Sequence, residues 1–246
     1  MDDATSPPIL RVAGGSRAYG LAVDGSDLDV RGVFLPRVAW LCGLPPSDRA
    51  LTIEHTFTPP NGARVDIVMH ALPKFVRLAL AANPNILEIL WCRDEDILLS
   101  TRAGRDLRAM RRAVLSRRCR DTFVGYAKSQ LGGERAHSSR HGTRAEAVDW
   151  KNAMHLVRLL RTGLEALRTG DVRVWRQDRA DLLAIRRGDM PETDLRAMAE
   201  SMMRECDDAV RSSPLPEEPD YRRVEDWLIY TQARWVAGDQ TLLERA

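Results

Sequence analysis

The tightest constraint on this chain is the run Ser26-Asp27-Leu28-Asp29-Val30. Side chains alternate across a β-strand, so Asp27 and Asp29 share one face while Leu28 and Val30 point the other way, into a core. Two carboxylates on one face repel each other unless a cation sits between them. Oxygen ligands of this kind suit magnesium or manganese. Just upstream, Ile9–Ala13 reads as a short strand leading into a glycine-rich turn, Gly14-Gly15-Ser16-Arg17-Ala18-Tyr19-Gly20. Glycine lets backbone amides approach an anion closely, and Ser16 adds a hydroxyl donor. A phosphate cradle beside metal carboxylates is the equipment of phosphoryl or nucleotidyl transfer.

Either half alone is common: a Gly-Gly-Ser turn is usually only a turn, and an Asp-x-Asp is usually a solvated strand face. Together, with ten residues between Ser16 and Asp27, they form a much rarer arrangement. It resembles the nucleotidyltransferase superfamily of DNA polymerase β, whose signature is Gly-Ser, a short spacer, then acid-hydrophobic-acid. The longer form, Gly-Ser-Arg-Ala-Tyr-Gly followed by Ser-Asp-Leu-Asp-Val-Arg-Gly-Val, is similar to the RNA-repair-pathway polymerase-β-like family of predicted nucleotidyltransferases. Residues 74–88 and 151–161 carry the same resemblance, which spans about residues 9–235.

The resemblance implies an α+β fold: a small mixed β-sheet with helices on one face, followed by an all-α helical domain. The expected division is a catalytic domain over residues 1–99 and a helical domain over 100–246, with the active site in the cleft between them. Asp27 and Asp29 are then expected to hold Mg²⁺ (or Mn²⁺). A third carboxylate is expected from the next strand. Residues 64–70 alternate as a strand, which makes Asp66 the best-placed candidate, with Glu54 second; an exposed edge residue is the plain alternative. His70 falls on the face of Asp66 by the same period. Gly15, Ser16 and Arg17 are expected on the phosphates of an NTP. Lys151, His155 and Arg158 fall at i, i+4 and i+7 of a long helix expected over 146–169, so they share one face suited to an anion. Arg31 either assists the site or pairs with an acid. The implied reaction moves an NMP to a hydroxyl acceptor, an RNA 3′ end by preference, and releases pyrophosphate. A small-molecule, protein or tRNA acceptor is the alternative. An inactive nucleotide- or RNA-binding module is the alternative of another class.

Elsewhere the periodicity predicts a strand near 51–57, a helix from Leu72 broken at Asn83-Pro84-Asn85, and helical structure beyond residue 100. One helix is expected over 101–113 and another from Ser116 to about Leu131. Residues 132–142 lack periodicity and read as a loop, either a flap over the substrate or a plain connection. Further helices are expected over 179–187, 192–211 and 221–237. Charge is uneven. Residues 100–161 hold fifteen Lys/Arg against five Asp/Glu, a net of +10, while residues 190–246 hold seven against thirteen, a net of −6. A polyanion lying across the middle is one reading of this; a solvated basic face is the other. The four cysteines are widely spaced, which fits a reducing cytoplasm and no structural zinc. No apolar run is long enough to span a membrane, and the acidic N-terminus is unlike a signal peptide. The expected location is cytoplasmic, with no membrane partner; oligomeric state is left open.

Overall fold

Five strands form one mixed sheet in the order β3-β4-β2-β1-β5. They are β1 (Pro8–Ala13), β2 (Leu28–Phe34), β3 (Thr52–Phe57), β4 (Val65–Ala71) and β5 (Ile97–Ser100). β1 runs antiparallel to β2 and β5, and β3 antiparallel to β4, while β2 and β4 are parallel. The computed structural model describes residues 6–43, 51–60, 62–138 and 149–245.

The parallel pair positions the site. Its register sets Asp29 beside Asp66, Arg31 beside Val68, and Val33 beside His70. Neighbours across a ladder share a face, so these six side chains form one stripe along the sheet. β1 adds Val12 beside Arg31 and Leu10 beside Val33. The stripe therefore starts acidic and becomes apolar, and its apolar end enters the main core. The opposite face carries a smaller cluster of Phe34, Met69 and Ala71, with Trp40 packed against it.

A short helix, α1 (Gly15–Tyr19), follows β1, and α2 (Val38–Cys42) follows β2. After β4 come α3 (Leu72–Leu80) and α4 (Pro84–Leu90). The Asn-Pro-Asn break is the start of α4: the Asn83 side chain accepts from the Asn85 amide and Pro84 occupies the first turn, where its missing N–H costs nothing. Past β5, the single helix expected over 101–113 divides into α5 (Arg102–Ala109) and α6 (Arg111–Val114). Met110 between them has φ −81° and ψ −6°, flattened toward the bridge region, which interrupts the ladder.

The remaining helices are α7 (Cys119–Ser138), α8 (Trp150–Thr169), α9 (Arg179–Arg187), α10 (Glu192–Ala209) and α11 (Tyr221–Val236). α7 corrects the loop expected over 132–142, because it continues through Gly132 and Gly133 to Ser138. A glycine costs a helix only about 1 kcal/mol, which an established helix absorbs. The rest of that expected loop lies outside the described residues. Asp149 caps α8, its carboxylate accepting from the amides of Lys151 and Asn152. None of the helices among the described residues is long and apolar enough to cross a membrane.

One continuous core runs from Ile9 and Leu10 in the sheet through Phe75 and Leu87 to Leu156, Leu160, Leu182 and Leu242. The sheet and the helices beyond residue 100 thus share their apolar interior. The basic middle is in large part neutralised from within. Arg118 pairs with Glu218 and Arg120 with Asp207, both from the acidic C-terminal third. Arg117 donates to the carbonyls of Ser213 and Leu215, and Arg108 to Asp94 and to the carbonyl of Cys92.

α7 and α8 approach so closely at Gly163 that an added Cβ would lie 2.8 Å from the Cβ of Phe123. Alanine is the better helix former by about 1 kcal/mol. Overpacking costs about 1–3 kcal/mol and outweighs that gain. Gly163→Ala should therefore lower the urea midpoint followed by circular dichroism. A higher midpoint would mean that the two helices separate without cost.

Candidate active site

The turn after β1 is fastened to the acidic strand. The Gly14 amide donates to the Asp29 carbonyl at 2.8 Å. Gly15 has φ +60°, and a Cβ there would lie 1.9 Å from Asp29 Oδ2. Only glycine combines that conformation with so close a carboxylate. Arg31 spans the two neighbouring acids: its Nη2 lies 2.6 Å from Asp29 Oδ1 and 3.3 Å from Asp66 Oδ2, and its Nη1 donates to the Asp66 carbonyl. The Thr56 hydroxyl donates to Asp66 Oδ1 at 2.7 Å. Asp27 is exposed, one residue ahead of β2.

These surroundings treat the acids differently. Burial raises the Asp29 pKa; Arg31 pulls it back, and Asp66 and Asp27 push it up again. The Thr56 hydrogen bond holds Asp66 below the usual carboxylate range. Asp29 and Asp66 thus share the Arg31 guanidinium, with Asp27 adding negative charge beside Asp29 and Arg64 positive charge near Asp66. In the present arrangement, no three His, Cys, Asp or Glu among the described residues stand so as to hold a metal ion.

A cleft of about 550 Å³ opens over this face. Gly15, Ser16, Asp27 and Asp29 line one wall, and Lys151, His155 and Arg158 of α8 line the other. Arg17 and Asp66 are not among its lining residues. The Arg17 guanidinium instead donates to the carbonyls of Ser26 and Asp27, holding the acidic loop. Asp66 stands one strand away, beside Asp29.

The three residues of the α8 stripe have three different surroundings. Lys151 is exposed at the cleft. Burial, aided by Arg158, Lys151 and Arg186, lowers the His155 pKa to about 4, so its imidazole is neutral at pH 7. Arg158 is only 4% exposed. It pairs with Glu88 Oε1 at 2.5 Å and lies 3.7 Å from the Tyr19 ring centroid. The Tyr19 hydroxyl donates to the other oxygen of Glu88. Arg158 thereby fastens α8 to α1 and α4. The sequence reading missed Arg186 of α9, which lines the cationic wall, and Asn85 and Tyr126, which also border the cleft. None of the three belongs to a periodic pattern, although Asn85 sits in the Asn-Pro-Asn start of α4.

Residues 4–230 match the RNA repair pathway DNA polymerase beta family, RlaP. The chain belongs to that family. Membership supports a transferase of the polymerase β-like nucleotidyltransferase kind, in agreement with the resemblance drawn from the Gly-Ser and Asp-x-Asp segments. Among solved structures, a nucleotidyltransferase-like protein from Exiguobacterium sibiricum 255-15 aligns over 98% of this chain and 73% of its own. That pair is 14% identical with a TM-score of 0.29. No curated protein matches the chain.

Two outcomes follow from these contacts. The folded-state pKa of His155 lies below the ordinary imidazole value of 6.5, so its contribution to stability is present above pH 6.5 and is lost as pH falls through about 4. His155→Gln should flatten the stability profile over that window, and NMR should find a neutral imidazole at pH 6; a charged ring there would refute the assignment. Glu88→Ala strands a buried guanidinium and should cost about 3–5 kcal/mol in urea unfolding. Replacing Glu88 and Arg158 together by Met should recover most of that loss.

Proposed function

We propose that this cleft transfers an NMP from an NTP to a hydroxyl acceptor, an RNA 3′ end, with release of pyrophosphate. The observation that carries the reading is the opposition of two walls: Asp27 and Asp29 on one, Lys151 and Arg186 on the other. Membership of the family supports it.

The donor set fits a divalent ion. Its oxygens are hard ligands, Asp29 and Asp66 are adjacent in register, and the half-buried Asp29 carboxylate shares the Arg31 guanidinium with Asp66. Asp27 and Asp29 would hold two Mg²⁺ or Mn²⁺ ions, with Asp66 completing one site. Bound there, a divalent ion supplies a Lewis acid that lowers the pKa of the attacking hydroxyl and offsets charge on the transferring phosphoryl. Arg31 must then release at least one of the two acids it spans.

Gly15 and Ser16 face the terminal phosphates. Lys151 and Arg186 offset the charge of the triphosphate and of the leaving pyrophosphate. His155 contributes a hydrogen bond from the same wall. Arg17 acts through the loop that carries Asp27, and Arg158 acts by holding α8 in position. The acceptor oxygen bonds to the α-phosphorus, the bond from that phosphorus to the bridging oxygen breaks, and the hydroxyl proton passes to solvent. A small hydroxylated acceptor is the second reading. The internal pairing of the basic middle favours it, because fewer arginines remain to meet a polyanion.

The test is incubation with Mg²⁺, each labelled NTP, and RNA, tRNA and small-molecule acceptors. Wild-type protein should release pyrophosphate and label one acceptor class. Asp27→Asn with Asp29→Asn, or chelation of the metal, should reduce release by roughly a hundredfold or more. Undiminished release from the double variant would sink the metal-carboxylate mechanism.

A further inference from the structure

A second pocket, of about 280 Å³, adjoins the cleft. Gly15, Tyr19, Arg31 and Asn85 border both spaces, so the pocket opens toward the cleft on the Arg31 side of Asp29. Val12, Ala13 and Val68 line it from the sheet, and Ile86 and Ile89 line it from α4. Most polar groups around it are already engaged. Glu88 holds Arg158 and Tyr19, and Arg31 holds Asp29 and Asp66.

Two polar groups remain for a ligand. Among the described residues no hydrogen bond engages the Asn85 side chain, while its backbone amide donates to the Asn83 side chain. His70 faces Thr52 Oγ1 through Nδ1 at 3.2 Å, which leaves Nε2. Apolar walls with a few fixed polar groups are the usual make-up of a ligand pocket. The space lies just below the ~300–1,000 Å³ range of drug-sized sites, room for one ring system. Apolar side chains from the sheet and from a helix suit the two faces of a flat ring. A carboxamide sets an N–H donor beside a carbonyl acceptor, the pairing by which Asn reads the N6/N7 edge of adenine.

We propose that this pocket is the acceptor subsite and holds the base of the acceptor's terminal nucleotide. The inference rests on the reading of the neighbouring cleft as the nucleotidyl-transfer site. The larger cleft, with the phosphate-facing turn and the cationic wall, has room for the whole donor. The pocket joins it beside Asp29, where an attacking hydroxyl must arrive. A base seated between β4 and α4 brings its own ribose to that opening.

Adenosine is the probe, titrated calorimetrically into the whole protein, alone and with Mg²⁺ plus a non-hydrolysable ATP analogue. Adenosine should bind in both conditions. Val68→Phe, which fills the pocket, and Asn85→Ala, which removes the amide, should each weaken it about tenfold. Val68→Phe should leave the affinity of the analogue within twofold. Asn85 is exposed on α4, so its variant keeps the test valid if Val68→Phe fails to fold. Displacement of adenosine by the analogue, equal affinity in wild type and both variants, or no adenosine binding would each overturn the subsite. If adenosine binds as expected and the analogue does not, the base pocket stands, and its role as acceptor subsite is overturned together with the transfer reading of the cleft.

Discussion

The cleft depends on one buried ion pair. Arg158 and Glu88 meet at 2.5 Å, with the Tyr19 ring stacked on the guanidinium and its hydroxyl on the carboxylate. Burying both charges is expensive, and the pair repays this only when the geometry is good and the other lone pairs are satisfied. Tyr19 helps on both counts. The three residues come from α8, α4 and α1, so this contact joins the helical wall to the glycine turn, together with the Arg176 amide on the Tyr19 carbonyl and Arg186 on the Leu21 carbonyl. Arg158 occupies the position of a substrate contact and works as a fastening between the walls.

Charge elsewhere follows the same inward logic. A basic middle and an acidic tail look, in the sequence, like two surfaces awaiting partners. In the fold, Arg118 and Arg120 meet Glu218 and Asp207, and Arg117 ties the turn at Ser213 and Leu215 to the start of α7. Exposed pairs of this kind contribute little stability each. Their effect on the electrostatic field is larger, because they cancel charge that would otherwise reach far into solvent. The cations left facing the cleft, Lys151 and Arg186, then stand out against a quieter background.

Much of this was legible beforehand. The period of two in residues 64–70 set Asp66 on one face of its strand, and the parallel register brings that face beside Asp29. The Gly-Ser turn and the Asp-x-Asp strand were legible because their chemistry is local: glycine conformation, hydroxyl, alternation. The stripe of Lys151, His155 and Arg158 was legible only as a stripe. Helical spacing tells which side chains share a face and not what that face meets, so one proved exposed, one neutral and one clamped. Glu88, Asn85 and Arg186 matter only through contacts made across the fold, and no short-range pattern marks them. Gly132 and Gly133 misled for a related reason, since local propensity is a weak term once a helix is under way.

Arg31 lies between Asp29 and Asp66 as a cation that the chain itself supplies. Under the proposed mechanism, filling the site from solution would therefore be an exchange and not a simple addition. An incoming ion must outbid a guanidinium whose Nη2 reaches both acids and whose Nη1 reaches the backbone of β4. A monovalent ion brings no more charge than the group it displaces and none of its directed hydrogen bonds, so it gains nothing by entering. A divalent ion brings twice the charge to the same oxygens. Under the proposed mechanism, discrimination by valence would reside in the strand pair that Arg31 bridges.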